Sequence, residues 1–115
     1  MSKLLAYSIE GIGNPIVFIH GFCETQEIWT DFRQSFNANF QTICVDLPGF
    51  GLSAPLEKEC AIPEMAKCLK STLDHLQLEK IVLVGHSLGG YVALSFTELF
   101  PENVAGICLF HSTAF

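Results

Sequence analysis

A chain of 115 residues has the length of one ordinary domain, and with half of its residues hydrophobic, ten of them Phe, and only 16% charged, it carries enough apolar material for a core. The formal net charge of -6, with six scattered Lys and Arg, disfavours nucleic acid and anionic membrane surfaces as partners, because a phosphate-binding face needs clustered cations. No run approaches the ~18 apolar residues of a membrane span, and MSKLLAYSIEG is too polar for a signal-peptide core, so a cytoplasmic protein is expected.

No repeat, low-complexity tract or Gly/Ser linker divides the chain, so residues 1–115 are read as one unit. Leu4 to Ile9 reads as a first strand, ended by the turn-rich Gly11-Ile12-Gly13-Asn14-Pro15. IVFIH, residues 16–20, is β-branched and apolar on both faces, as suits a buried parallel strand. Thr25 is placed to cap a helix running to about Phe36, with Ile28, Trp29, Phe32 and Phe36 on one face and Trp29 there for packing. QTICVD, residues 41–46, is the next strand, closed by Pro48, Gly49, Gly51 and Pro55. Pro63 opens a second helix whose apolar face carries Met65, Ala66, Leu69, Leu73 and Leu76. IVLVG, residues 81–85, is a third buried strand, followed by a helix from Leu88 to about Phe100, where Pro101 stops it. VAGICLF, residues 104–110, is the last strand. Strand and helix alternate, which predicts an α/β fold of parallel strands joined by right-handed crossovers. Cys23, Cys44, Cys60, Cys68 and Cys108 show no CxxC and no ligand spacing, and read as reduced core thiols.

The strongest chemical signal is Gly85-His86-Ser87-Leu88-Gly89, a GxSxG sequence directly between a strand and a helix. A sharp turn there crowds the backbone around the serine, and Gly85, Gly89 and Gly90 supply flanks without side chains. The turn lifts the Ser87 hydroxyl clear of the sheet and leaves the Leu88 N–H at a helix N-terminus, where negative charge is favoured. A phosphate-binding loop would need a Lys before its Ser or Thr, and none is present. The second signal, His20-Gly21-Phe22, ends the strand IVFIH, where a tight turn can aim the Phe22 N–H at the same point. Two convergent donors make an oxyanion hole. His20 itself reads as a strand-end histidine satisfied by local hydrogen bonds. The third signal is Asp46-Leu47-Pro48-Gly49-Phe50-Gly51-Leu52-Ser53. Its glycines with Ala54 match a dinucleotide fingerprint, but Pro55 and the polar stretch after it delay the helix to about Pro63, too far to meet a pyrophosphate. Asp46 is instead expected to brace the turn.

Together HGF, DLPGFGLS and GHSLGG, in this order and spacing, resemble the α/β-hydrolase superfamily over essentially the whole chain. The resemblance implies a Ser-His-Asp/Glu triad in which Ser87 attacks an acyl carbon while the Phe22 and Leu88 N–H groups hold the oxyanion. Serine at position 87, where the haloalkane dehalogenase and epoxide hydrolase branches have Asp, points to an esterase-like branch. The expected substrate is a small-molecule ester or related acyl compound, with C–C bond hydrolysis, thioester hydrolysis and perhydrolase activity as sibling chemistries. No metal and no organic cofactor is expected.

The resemblance also implies an acid and then a histidine after the serine, yet no Asp or Glu lies beyond Glu102. His86 is expected to face the other side of the turn, His75 lies on the helix between strands, and His111 reads as a pocket or turn residue. Without a general base the serine is a poor nucleophile, so the chain alone is expected to be inactive. VAGICLF is apolar on both faces yet comes last, so it would lie exposed at a sheet edge and could pair with another chain. The expectation is therefore a partial α/β-hydrolase fold, the N-terminal part of one domain, lacking a cap, further strands, the acid and the histidine. The competing expectation is a non-catalytic piece of that fold that binds a partner or ligand. Phe22, Cys23 and Trp29 are candidates for one wall of an acyl pocket.

Overall fold

The computed structural model describes residues 4–56 and 61–110. Its elements are β1 (Tyr7–Glu10), β2 (Asn14–Ile19), β3 (Phe40–Val45), α1 (Ile62–His75), β4 (Ile81–His86), α2 (Leu88–Leu99) and β5 (Val104–Phe110), with short 3-10 turns between some of them. The strands form one sheet in the order β1-β3-β2-β4-β5. β2 is parallel to both β3 and β4, and β4 is parallel to β5, so the fold is α/β with a mostly parallel sheet.

The first strand departs from expectation twice: it begins at Tyr7 rather than Leu4, and it runs antiparallel to β3. Only residues 11–13 separate β1 from β2, which is too short for the crossover that a parallel pair requires. Buried Arg33 helps hold β1 in place. Its guanidinium donates to the Ser8 hydroxyl at 2.6 Å and to the Thr42 carbonyl at 2.7 Å, one group on each of the paired strands.

β2 shows why its sequence is apolar throughout. Val17 and Ile19 point to one face, where they pack with Ile43, Val45 and Leu83 beneath Leu69 and Leu73 of α1 and Val92 and Phe96 of α2. Ile16 and Phe18 point to the other, against Cys44, Val84 and Trp29. Side chains alternate along a strand, so a strand covered on both faces must be apolar at every position. Removing Phe18 wholly from water contributes on the order of 2–3 kcal/mol.

The expected helix from Thr25 to Phe36 is instead two 3-10 turns, Gln26–Trp29 and Phe32–Ser35. Thr25 does cap the first, accepting a hydrogen bond from the Glu27 N–H. Trp29 ends the first turn and Phe32 opens the second, and their ring centroids lie 5.9 Å apart. Phe18 is the anchor for this segment, at 5.2 Å from Trp29 and 6.1 Å from both Phe32 and Phe36. Contact with one ring selects the tighter winding over a regular helix. Trp29 is buried, whereas Ile28 and Phe32 remain exposed, so this face of the sheet is thinly covered.

β5 is one of the two border strands of the sheet, the other being β1, and exposes Ile107 and Phe110. The cysteines divide: Cys44 and Cys68 are buried thiols, Cys23 and Cys108 are exposed, and Cys60 lies outside the described residues. Two of the expected core thiols are therefore surface groups, because one stands in a loop and the other on the uncovered strand. Among the described residues no helix is long and apolar enough to cross a membrane.

Candidate active site

The carboxyl ends of β2, β3, β4 and β5 lie along one rim of the sheet, where ligands of parallel sheets bind. β4 ends at His86 and α2 begins at Leu88, so Ser87 alone turns the chain. Its backbone has φ 55° and ψ −114°, a region that a residue with a Cβ occupies at a cost of about 1–3 kcal/mol. Two glycines permit the bend. A Cβ on Gly85 would lie 2.7 Å from the Gly90 Cα, and one on Gly89 would meet the carbonyl oxygens of Ile19 and His20. The Ser87 N–H donates to the Phe110 carbonyl at 3.0 Å, and the Ser87 carbonyl accepts from Gly90 N–H at 2.9 Å. Leu88, the first residue of α2, has an N–H with no acceptor inside the helix.

The HGF turn meets this bend because Ile19 and Gly85 are register partners on adjacent parallel strands. His20 is wholly buried. Its Nε2 accepts from the Leu47 N–H at 2.9 Å, which leaves Nδ1 to carry the proton and donate to the Gly21 carbonyl at 2.7 Å. Desolvation lowers its pKa below 6.5, against the upward pull of the Gly21 carbonyl, Asp46 and Glu24. The unfolded chain then binds the proton more readily, so His20 favours the folded state above pH 6.5 and this contribution is lost as pH falls toward the depressed value. Unfolding titrations in urea from pH 7 downward should show stability falling with acidity, less steeply in His20→Leu than in the parent; equal slopes would remove His20 as the cause.

Phe22, 69% exposed, stacks edge-on against Phe50 at 5.8 Å, and its N–H donates to no group among the described residues. Glu24 closes the turn twice. Its N–H donates to the Gly21 carbonyl at 3.3 Å, and its Oε1 accepts from the Gly21 N–H at 2.6 Å. The same oxygen lies 2.9 Å from His86 Nδ1. Burial alone would raise the Glu24 pKa, but hydrogen bonds from His86 and the Gly21 N–H, with the charge of the two imidazoles, hold it below its ordinary value. His75 stands at the far end of α1, and His111 lies outside the described residues.

Asp46 follows β3 and is buried. One carboxylate oxygen accepts from the Gln26 N–H at 2.8 Å and the other from the Leu52 N–H at 3.0 Å, while its carbonyl accepts from the Ser53 hydroxyl at 2.6 Å. Ser53 in turn accepts from the Ala6 N–H at 2.8 Å. Asp46 thus ties the DLPGFGLS loop to the start of the first 3-10 turn.

Residues 14–113 match the family model described as the alpha/beta hydrolase fold. The chain belongs to the α/β-hydrolase family. Among solved structures, this α/β-hydrolase-family chain is similar to a thermophilic esterase from Thermogutta terrifontis, with 36% identity, a TM-score of 0.92, and coverage of 96% of this chain and 41% of the esterase. It is 36% identical over 100 residues to the dihydrolipoyllysine-residue acetyltransferase component of the acetoin cleaving system of Pseudomonas putida, covering 87% of this chain and 27% of the relative. It is 31% identical over 99 residues to a 2-hydroxy-6-oxononadienedioate/2-hydroxy-6-oxononatrienedioate hydrolase of Pseudomonas putida, covering 82% and 35%. The chain therefore spans less than half the length of these relatives.

In this α/β-hydrolase chain a cleft of about 330 Å³ opens beside the rim, lined by Glu24, Ile28, Trp29, Phe32, His86 and Phe110. Trp29 is one of the three expected wall residues; Phe22 and Cys23 are exposed and stand outside the cleft. The buried Trp29 Nε1 has no hydrogen-bond partner among the described residues. Glu24 and Phe110 join this cleft although no sequence motif marks them. Among the described residues no group of three or more His, Cys, Asp or Glu is placed to hold a metal.

Proposed function

We propose that the protein carrying this chain is a serine hydrolase acting on a carboxylic ester or related acyl substrate through an acyl-enzyme at Ser87. The observation that carries this reading is the Ser87 backbone, held at φ 55° between a strand and a helix at the rim of the sheet. Such a conformation at a serine, where glycine would fit without strain, supports a use for the hydroxyl there.

In this reading Ser87 Oγ bonds to the acyl carbon, its proton passes to a base, and the carbonyl electrons move to an oxyanion that the Phe22 and Leu88 N–H groups receive. Each such donor is worth about 3 kcal/mol in the transition state. The oxyanion collapses, the alcohol leaves with a proton, and water then attacks the acyl-enzyme to release the carboxylic acid. The base is not His20, whose two nitrogens hold the Leu47 N–H and the Gly21 carbonyl. The acid and histidine of the triad come from outside residues 1–115, and this chain alone does not turn over. A cytoplasmic location fits the four free thiols among the described residues.

A fluorophosphonate probe tests the reading in the full-length natural protein. Labelling should map to Ser87 and vanish in Ser87→Ala, with ester hydrolysis lost alongside it. A folded full-length protein that takes up no probe would leave the non-catalytic reading in its place.

A further inference from the structure

We infer, on the acyl-transfer reading of Ser87, that Glu24 is a positioning residue whose carboxylate ties the HGF turn to the serine bend and so sets the gap between the two oxyanion donors. One oxygen, Oε1, lies 2.6 Å from the Gly21 nitrogen and 2.9 Å from His86 Nδ1. Gly21 directly precedes Phe22, and His86 directly precedes Ser87. The two residues joined by Glu24 are therefore each one peptide away from a group that takes part in the chemistry.

A carboxylate only accepts hydrogen bonds, so the proton of His86 must sit on Nδ1, and the contact is charge-assisted. Such bonds are shorter and stronger than neutral ones, and this one is partly sheltered, with the two side chains 26% and 28% exposed. The backbones are correspondingly close: a Cβ on Gly21 would lie 3.1 Å from both the carbonyl oxygen and Nδ1 of His86. The parallel pairing of β2 with β4 ends at Ile19 and Gly85. Beyond that point Glu24 takes over the task of keeping the two chain segments in register. An oxyanion donor displaced by a fraction of an ångström loses much of its worth, because its value lies in being aimed before the charge develops.

Three substitutions separate positioning from mere stability. Glu24→Ala removes the bridge, Glu24→Asp stops one methylene short, and Glu24→Gln keeps an acceptor oxygen at the same reach. In the full-length protein, Glu24→Ala and Glu24→Asp should lower kcat on a small ester by about 10–100-fold with KM nearly unchanged. Affinity for a trifluoromethyl ketone, which binds as the tetrahedral oxyanion, should fall by the same factor as kcat/KM. Glu24→Gln should recover most of both. Independently of turnover, the Gly21 amide should exchange with solvent at least about tenfold faster in Glu24→Ala than in the parent. If Glu24→Ala does not fold, Glu24→Asp and Glu24→Gln carry the comparison. Unchanged kcat and inhibitor affinity in Glu24→Asp, while Ser87→Ala is dead, would overturn the role of Glu24 and leave the serine chemistry standing. Turnover that survives Ser87→Ala would instead remove the acyl-transfer reading itself.

Discussion

Ser87→Gly is expected to silence the protein and at the same time make it harder to unfold. The native φ of 55° at Ser87 costs a residue with a Cβ about 1–3 kcal/mol, and glycine adopts it freely. Against this stands the greater freedom of glycine in the unfolded chain, about 0.5–1 kcal/mol. The net is a gain of about 1 kcal/mol, or a rise of roughly 4 °C in melting temperature for a chain of this size. Ser87→Ala is the control, since it also removes the hydroxyl but keeps the Cβ and therefore the strain. Thermal melts of the two variants should place glycine above alanine, with probe labelling absent in both. The opposite order would mean that the bend is relaxed, and the strongest support for a reactive serine would go with it.

Gly89→Ala should be strongly destabilising although it adds a single methyl. On helix propensity alone it ought to stabilise α2 by about 1 kcal/mol. The Cβ, however, would lie 2.6 Å from the His20 carbonyl oxygen and 2.7 Å from the Ile19 carbonyl carbon, both backbone atoms at the end of a central strand. Neither can move aside without parting α2 from β2, so the cost is at least about 3 kcal/mol, a large share of the total stability of a domain this size. Gly106→Ala is the contrast, with its nearest neighbour, Val82 Cγ2, at an ordinary 3.9 Å. Urea denaturation should find Gly89→Ala mostly unfolded or strongly weakened and Gly106→Ala close to the parent. A Gly89→Ala protein as stable as the parent would contradict the tight approach of helix to strand.

Much of the architecture was legible because its signals are local. The runs IVFIH and IVLVG announce strands covered on both faces, and Pro63 and Pro101 mark a helix start and a helix stop. The bend at Ser87 was legible because its glycines serve a purely steric need. Strand direction was less so: the pattern of Leu4 to Ile9 is the same whichever way the strand runs, and only the three-residue link to β2 argues against a crossover. The 3-10 winding around Trp29 was hidden because it answers to Phe18, a residue outside the segment. Glu24 was overlooked because its partner His86 is 62 positions away. A lone acid three residues beyond Gly21, within an otherwise uncharged run from Asn14 to Gln26, was the available hint.

The carbonyl of Phe110 that receives the Ser87 N–H closes the outermost ribbon of the sheet, one with no neighbour on its far side among the described residues. The corner at Ser87 is thus moored to an edge strand of the sheet. Anything that lies down alongside that ribbon stiffens the corner, and loosening there is felt one hydrogen bond away at the hydroxyl-bearing residue.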